Sequence, residues 1–298
     1  MRQKTGIGLW LTLTVGVFLS VCPTVEAQQY QFTTFDPAGS TYTQPVGINA
    51  SGLITVQYVD EDGVFHSAAL QKGQSALLDV PGAFGTGVSA PNARGQAALG
   101  YIGVDFNFHS ALYDRGAFEY HPDAPGMDNV SPSAINDSGT IVGIVWNWID
   151  DPIVHAYIFR NGEYTVFDNP ASPFPATAAW NVNSRGDIVG DYLAADGTVH
   201  GFLRVGTKDQ IVYVEVNVPG ARLTSPFGIN DHGMIVGRYI VGRVVHGFVY
   251  QDGSFTTVDV PGARLTAVTG INDRGDIIGN YLGAVDSLWH GFVGTPLH

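Results

Sequence analysis

The chain has 298 residues, and its 27 acidic against 14 basic side chains give a formal net charge of −13. So acidic a balance disfavours nucleic acid and anionic lipid as partners. A single cysteine excludes a disulfide scaffold, and 38 glycines and 16 prolines fit many short strands and tight turns, with no long amphipathic helix in view.

The first residues read as an export signal. Arg2 and Lys4 precede an apolar run over residues 7–21 that ends in Val25-Glu26-Ala27, the order of a secretory signal peptide with cleavage after Ala27. Residues 1–27 are therefore set apart, and residues 28–298 are expected to form a single domain, secreted or extracellular, with a periplasmic location as the variant. Membrane insertion is not expected, because nothing later approaches the ~20 apolar residues of a spanning helix. Cys22 follows Leu19-Ser20-Val21, which resembles a lipoprotein box; Val21 stands where a small residue is wanted, so lipidation is not expected either.

From residue 30 onward the chain is periodic. A strand over residues 30–35 runs into Asp36-Pro37-Ala38-Gly39, and then asparagines recur at Asn49, Asn92, Asn136, Asn183, Asn230 and Asn272, every 42 to 47 residues. A period of this length marks a repeat architecture. In the clearest unit the strands are residues 224–229, 234–239, 246–250 and 254–260, rich in β-branched and aromatic types and bounded by Gly, Asn, Asp or Pro. Asn230-Asp231-His232-Gly233 fits a type I turn in which the asparagine caps its own backbone, and Asp252-Gly253 fits a two-residue hairpin loop.

That hairpin loop fixes a register. With Asp252 and Gly253 at the tip, Tyr250 faces Phe255, Phe248 faces Thr257 and His246 faces Asp259. The same spacing pairs His66 with Asp79 and His155 with Asp168. A one-residue insertion separates His109 from Asp123, and a longer connection separates His200 from Asn217, so these two units are expected to break the rule.

The ends of the chain complement each other. Residues 30–35 form a fourth strand with no first three before it, whereas residues 267–272, 276–281 and 290–293 form three strands with no fourth after them. If the N-terminal strand completes the C-terminal sheet, His290 pairs with Asp36 and no sheet edge is left exposed. The expected fold is all-β: a six-bladed β-propeller of four-stranded antiparallel blades closed in this way, with an open β solenoid as the alternative.

His155-Ala156-Tyr157, His200-Gly201-Phe202, His246-Gly247-Phe248 and His290-Gly291-Phe292 recur with Gly270-Ile271-Asn272-Asp273-Arg274-Gly275 and Asp259-Val260-Pro261-Gly262. In these the chain resembles the bacterial HAF-repeat family of extracellular proteins, named for a His-Ala-Phe run, over essentially all of residues 30–298. His66-Ser67-Ala68 and His109-Ser110-Ala111 depart from the run at its third position. The resemblance implies an extracellular location and a repeat architecture, and brings no catalytic residues.

Six equivalent histidines invite a metal, but each lies on the third strand out from the axis, and its partner acid lies on the outermost. Residues spread on so wide a ring cannot share one ion at the roughly 2 Å distances zinc demands. The His–Asp pairs are expected to fix strand register, and neither metal nor cofactor is expected. The Asn272-to-Asp276 segment lacks the bidentate glutamate of a calcium loop. Arg185-Gly186-Asp187 and Arg274-Gly275-Asp276 match an adhesion tripeptide but fall in the ordinary turn between the first two strands.

Function is sought where the copies differ. Trp146-Asn147-Trp148-Ile149-Asp150-Asp151 lengthens the loop after the second strand of the third unit, and a longer connection carrying Phe174 leads to Trp180 in the fourth. Both lie on one face, which gives a candidate ligand site of Trp146, Trp148, Asp150, Asp151, Phe174 and Trp180, extended by Phe106 and Phe108. No charged residue or histidine falls in the six first strands that would line an axial channel, so no catalytic residue is assigned. The expected function is a monomeric, non-enzymatic module binding an extracellular carbohydrate or protein surface. The alternatives are an enzyme acting on extracellular polysaccharide and an adhesive cell-surface component.

Overall fold

The computed structural model describes residues 30–148, 153–174, 176–207 and 210–297. The expected signal segment, Cys22, Asp150 and Asp151 lie outside the described residues. Those described form twenty-four strands and no helix, and the fold is all-β and propeller-like. None of it is a helix long and apolar enough to cross a membrane.

After β1 (Tyr30–Phe35), the strands fall into antiparallel groups. The first unit holds β2 (Ser40–Ile48), β3 (Ile54–Asp60), β4 (Phe65–Gln71) and β5 (Gln74–Leu77), and the second β6 (Gly85–Val88), β7 (Ala97–Ile102), β8 (Phe108–Asp114) and β9 (Ala117–Tyr120). The third comprises β10 (Asn129–Ile135), β11 (Ile141–Trp146), β12 (His155–Arg160) and β13 (Glu163–Phe167). The fourth comprises β14 (Thr177–Val182), β15 (Ile188–Leu193), β16 (Val199–Thr207) and β17 (Gln210–Val216). The fifth comprises β18 (Leu223–Ile229), β19 (Ile235–Val241), β20 (Val244–Gln251) and β21 (Ser254–Val258). The last has β22 (Ala263–Ile271), β23 (Ile277–Gly283) and β24 (Trp289–Pro296), and β1 pairs antiparallel with β24 from Tyr30↔Pro296 to Phe35↔Gly291.

Strand pairing does not yield six separate sheets. It yields two of four strands and two of eight, because single parallel bridges, Tyr42↔Trp289 and Val199↔Leu223, join neighbouring units where a third strand starts beside the next first strand.

The hairpin loops behave as their sequence predicts. Lys72, Asn161 and Asp252 have φ near 50°, and each is followed by a glycine with φ near 80°, the left-handed pair of a type I′ turn. Tyr250 faces Phe255 and Phe248 faces Thr257.

The six asparagines do two jobs. Asn230 Oδ1 accepts the backbone N–H groups of His232 and Met234, which holds the turn, while its Nδ2 donates to the backbone carbonyl of Asn272. The same inter-unit bond runs from Asn49 to Asn92, from Asn92 to Asn136, from Asn136 to Asn183 and from Asn183 to Asn230. Asn272 donates to the carbonyl of Asn49 at 3.3 Å, so the circle returns to its start. All six side chains are buried, and burial away from water makes each bond costly to lose.

Packing within a unit follows a size exchange. Tyr157, Phe202, Phe248 and Phe292 are fully buried and face Gly143, Gly190, Gly237 and Gly279 across the second and third strands. A Cβ on Gly237 would stand 2.1 Å from the Ser225 carbonyl and 2.8 Å from the Phe248 ring. In the two units whose third position is Ala68 or Ala111, the facing residue is Val56 or Leu99. The departures from His-x-Phe are thus small-for-large swaps matched by large-for-small ones, which keeps core volume constant.

Candidate functional site

The histidines sit at the start of the third strands. Each Nδ1 meets an acid just after the fourth strand rather than on it: His66–Asp79 at 3.0 Å, His155–Asp168 at 2.9 Å, and His246–Asp259 and His290–Asp36 both at 2.8 Å. The two irregular units keep the interaction by other means. His109 still reaches Asp123 at 2.8 Å, and His200 takes Glu215, leaving Asn217 to bind the backbone N–H of Gly201. A second carboxylate absent from the sequence reading lies on the other ring nitrogen of His66, His109 and His290, supplied by Asp60, Asp105 and Asp286. In five units a tyrosine of the second strand lies against the imidazole; the third has Val145 there instead.

Electrostatics follow this geometry. The hydrogen bond to Asp79, then that to Asp60, raises the His66 pKa. Asp36 does most to raise that of His290, helped by Asp286 against desolvation. At His109 desolvation pulls down, and Asp105 and Asp123 together outweigh it. Asp60 is lowered chiefly by the N–H of Val64 and then by His66. With both ring nitrogens engaged these imidazoles are not open ligands, and among the described residues no group of three or more His, Cys, Asp or Glu could hold a metal ion.

The tripeptides and the acidic turn are also accounted for locally. Arg185 Nε binds Asp187 at 2.9 Å, and Arg274 Nε binds Asp276 at 3.0 Å, within the same turn.

The predicted site residues fall in different places. Trp146 and Trp148 meet edge to face at 6.1 Å, and both lie against Phe108 of the preceding unit. Trp148 is 53% exposed, and its indole N–H donates to Asn107. Beside them Phe106 stacks on Phe84 at 5.2 Å, both exposed. Phe106 has φ of 64°, in a turn position that Gly63 and Gly197 occupy in other units. Phe174 is 53% exposed on its loop. Trp180 stands in the axial cavity, where its indole N–H donates to Asp191 at 3.0 Å and its ring meets Phe227 edge to face at 5.7 Å.

That cavity, about 480 Å³, is lined by all six units at the end away from the asparagine circle. Five of the six first strands carry a β-bulge at one place, and the bulged residues Val46, Ser133, Trp180, Phe227 and Thr269 all line it. A bulge re-aims a side chain in this way. Second strands contribute too: Gln57, Asp191, Arg238 and Asn280, each eight residues after its asparagine, line the same wall. The expectation that first strands alone line the channel, leaving it without charge, is corrected here.

Asp191 and Arg238 are the charged pair of that wall. Desolvation raises the Asp191 pKa, and bonds from Ser225 and Trp180 and the Arg238 charge pull it back only in part. Across the mouth Tyr42 meets Trp289 edge to face at 6.4 Å, and its hydroxyl donates to Gln44 at 2.9 Å. Aromatic faces, amides and one charge of each sign therefore converge on a single enclosed space.

No protein-family model matches the chain, and no curated protein matches it by sequence. Solved structures do match in fold. A protein of unknown function from Dyadobacter fermentans superposes with a TM-score of 0.58 at 9% identity, over 92% of this chain and 100% of that one. The SapL1 lectin, solved with alpha methyl fucoside, gives 0.54 at 14% identity, over 87% of this chain and 94% of that one. A gluconolactonase from Xanthomonas campestris gives 0.52 at 15% identity, over 90% of each chain.

Proposed function

We propose that the chain is an exported, non-enzymatic carbohydrate-binding module. It is a six-bladed β-propeller of the HAF-repeat type, closed by the N-terminal strand, and takes its ligand in the axial cavity. The β1–β24 pairing, the His290–Asp36 bond and the returning asparagine circle support closure. Export rests on the order of charge, apolar run and small residue in residues 1–27.

The observation that carries the binding assignment is the composition of the cavity wall. A space of about 480 Å³ falls in the range of small-molecule sites, roughly 300–1,000 Å³. Trp180, Phe227, Tyr42 and Trp289 offer flat apolar faces suited to a pyranose ring, and Gln44, Gln57 and Asn280 offer amides suited to its hydroxyls. A lectin among the structures of like fold is consistent with this use of the scaffold. The Trp146–Trp148–Phe108 surface lies on the same face and would extend the site to a longer glycan.

A glycan array probed with wild-type protein and Trp180→Ala tests the assignment. Wild type is expected to bind a defined set of glycans and the variant to lose them. Absence of any wild-type binding would refute it.

An enzyme acting on extracellular polysaccharide is the alternative, and one observation favours it: Asp191 combines a raised pKa with a place in the cavity, as proton-transfer groups do. Glycoside hydrolysis ordinarily uses two carboxylates, and Asp191 is the one carboxylate among the described lining residues. Polysaccharide turnover abolished by Asp191→Asn would establish the enzyme.

A further inference from the structure

Arg238 and Arg204 both hold a buried Nε without a hydrogen-bond partner beside an aromatic ring, but of the two only Arg238 lines the axial cavity. It lies in the middle of β19, opposite Ser225 of β18 and Gly247 of β20, and projects into the axial cavity. Its guanidinium carbon lies 5.3 Å from the centre of the Phe227 ring. Among the described residues it has no ion-pair partner, and its Nε is buried without a hydrogen-bond partner. By contrast, Arg185 and Arg274 each bind an aspartate of their own turn.

The one acid among the described lining residues forms no ion pair with it. Asp191 is committed to the Trp180 indole at 3.0 Å. The positive charge reaches across the space: desolvation raises both Asp191 and Tyr42, the latter contributed by the first unit, and the Arg238 charge offsets part of that rise in each. A guanidinium is a planar fork that matches a carboxylate with two parallel hydrogen bonds. Leaving such a group without a counter-charge in an enclosed wall is costly unless a ligand supplies one.

We propose that the ligand of the cavity is an acidic sugar, a uronic acid residue whose carboxylate is received by Arg238. This rests on the carbohydrate reading above and narrows it. The sugar ring lies against Trp180 and Phe227, and Asp191 accepts a hydrogen bond from a sugar hydroxyl. The protein's overall negative charge repels anions at a distance, so selectivity resides in the fork and the aromatic wall together. Inorganic anions would use the fork and leave the aromatic faces unused.

Isothermal titration of the full exported chain with D-glucuronate, D-galacturonate, D-glucose, D-galactose and inorganic phosphate tests this, with Trp180 and Trp289 fluorescence as a second readout. A uronate is expected to bind at least tenfold tighter than its neutral counterpart. Arg238→Gln is expected to bring that ratio close to one, and Arg238→Lys to give an intermediate value; thermal melts matching wild type show that both variants are folded. Equal affinity for acidic and neutral sugars, or a ratio unaltered by Arg238→Gln, overturns the acidic-sugar assignment and leaves sugar binding standing. Binding of phosphate alone overturns it in favour of a bare anion site, and binding of no sugar in either class overturns both.

Discussion

His290 and Asp36 lie 254 residues apart in sequence and 2.8 Å apart in space, one on the last strand and the other just after the first. Asp36 also accepts the backbone N–H of Gly291, and β1 runs along β24 beside it. The two ends of the chain therefore depend on the same chemistry that sets register inside every other unit. Deleting residues 28–36 is expected to expose β24 and to lower the unfolding temperature sharply, measured by circular dichroism; a melt equal to that of the intact chain would exclude a role in closure.

The histidine clusters set a pH window. His66, His109 and His290 are raised on folding, so the stability they contribute is fully present below the unfolded value of about 6.5 and is lost as pH rises through the folded one. Asp60, Asp105 and Asp286 are lowered. Their contribution is present above about pH 4 and is lost as pH falls through the folded value. Melting temperature is expected to peak in the mildly acidic range, and His290→Asn should flatten the alkaline flank of that profile. An unchanged flank would mean that the pair does not gain from protonation.

The glycine–aromatic exchange makes a coupled prediction. Phe248→Ala should cost about 3–5 kcal/mol through the cavity it leaves, and Gly237→Val about 1–3 kcal/mol or more through overpacking. Combined, they reproduce the Val56–Ala68 arrangement of the first unit and should be less destabilising than their sum by about 1–3 kcal/mol. Urea unfolding of the four proteins measures the coupling; strict additivity would show that the exchange is not a shared packing solution.

Phe106 occupies a left-handed backbone position in a surface turn. Replacing it with glycine should stabilise the fold by about 1 kcal/mol, read from chemical denaturation. A loss of stability would show that its stacking on Phe84 outweighs the backbone strain.

Much of this molecule is legible from its repeats. Asn, Gly, His and Asp recur because turns and strand register recur, and the hairpin arithmetic gave the Tyr250–Phe255 pairing directly. The second acid on each of three histidines is not legible from the repeat because Asp60 ends a strand, six residues before its histidine, whereas Asp105 and Asp286 sit in loops, four before theirs. The cavity wall was hidden for another reason. A bulge in the first strand breaks simple alternation, so Trp180 and Phe227 turn inward against the expected pattern, and the second-strand position carrying Asp191 and Arg238 looks like an ordinary variable site. Aligned on the asparagine, both positions become readable: three residues before it and eight after.

The most direct measurement is a crystal structure of the protein soaked with D-glucuronate. Density for the sugar is expected in the axial cavity, with its carboxylate against Arg238 and its ring beside Trp180 and Phe227. Density confined to the Trp146–Trp148 surface, or a cavity holding no sugar at saturating concentration, would contradict the account.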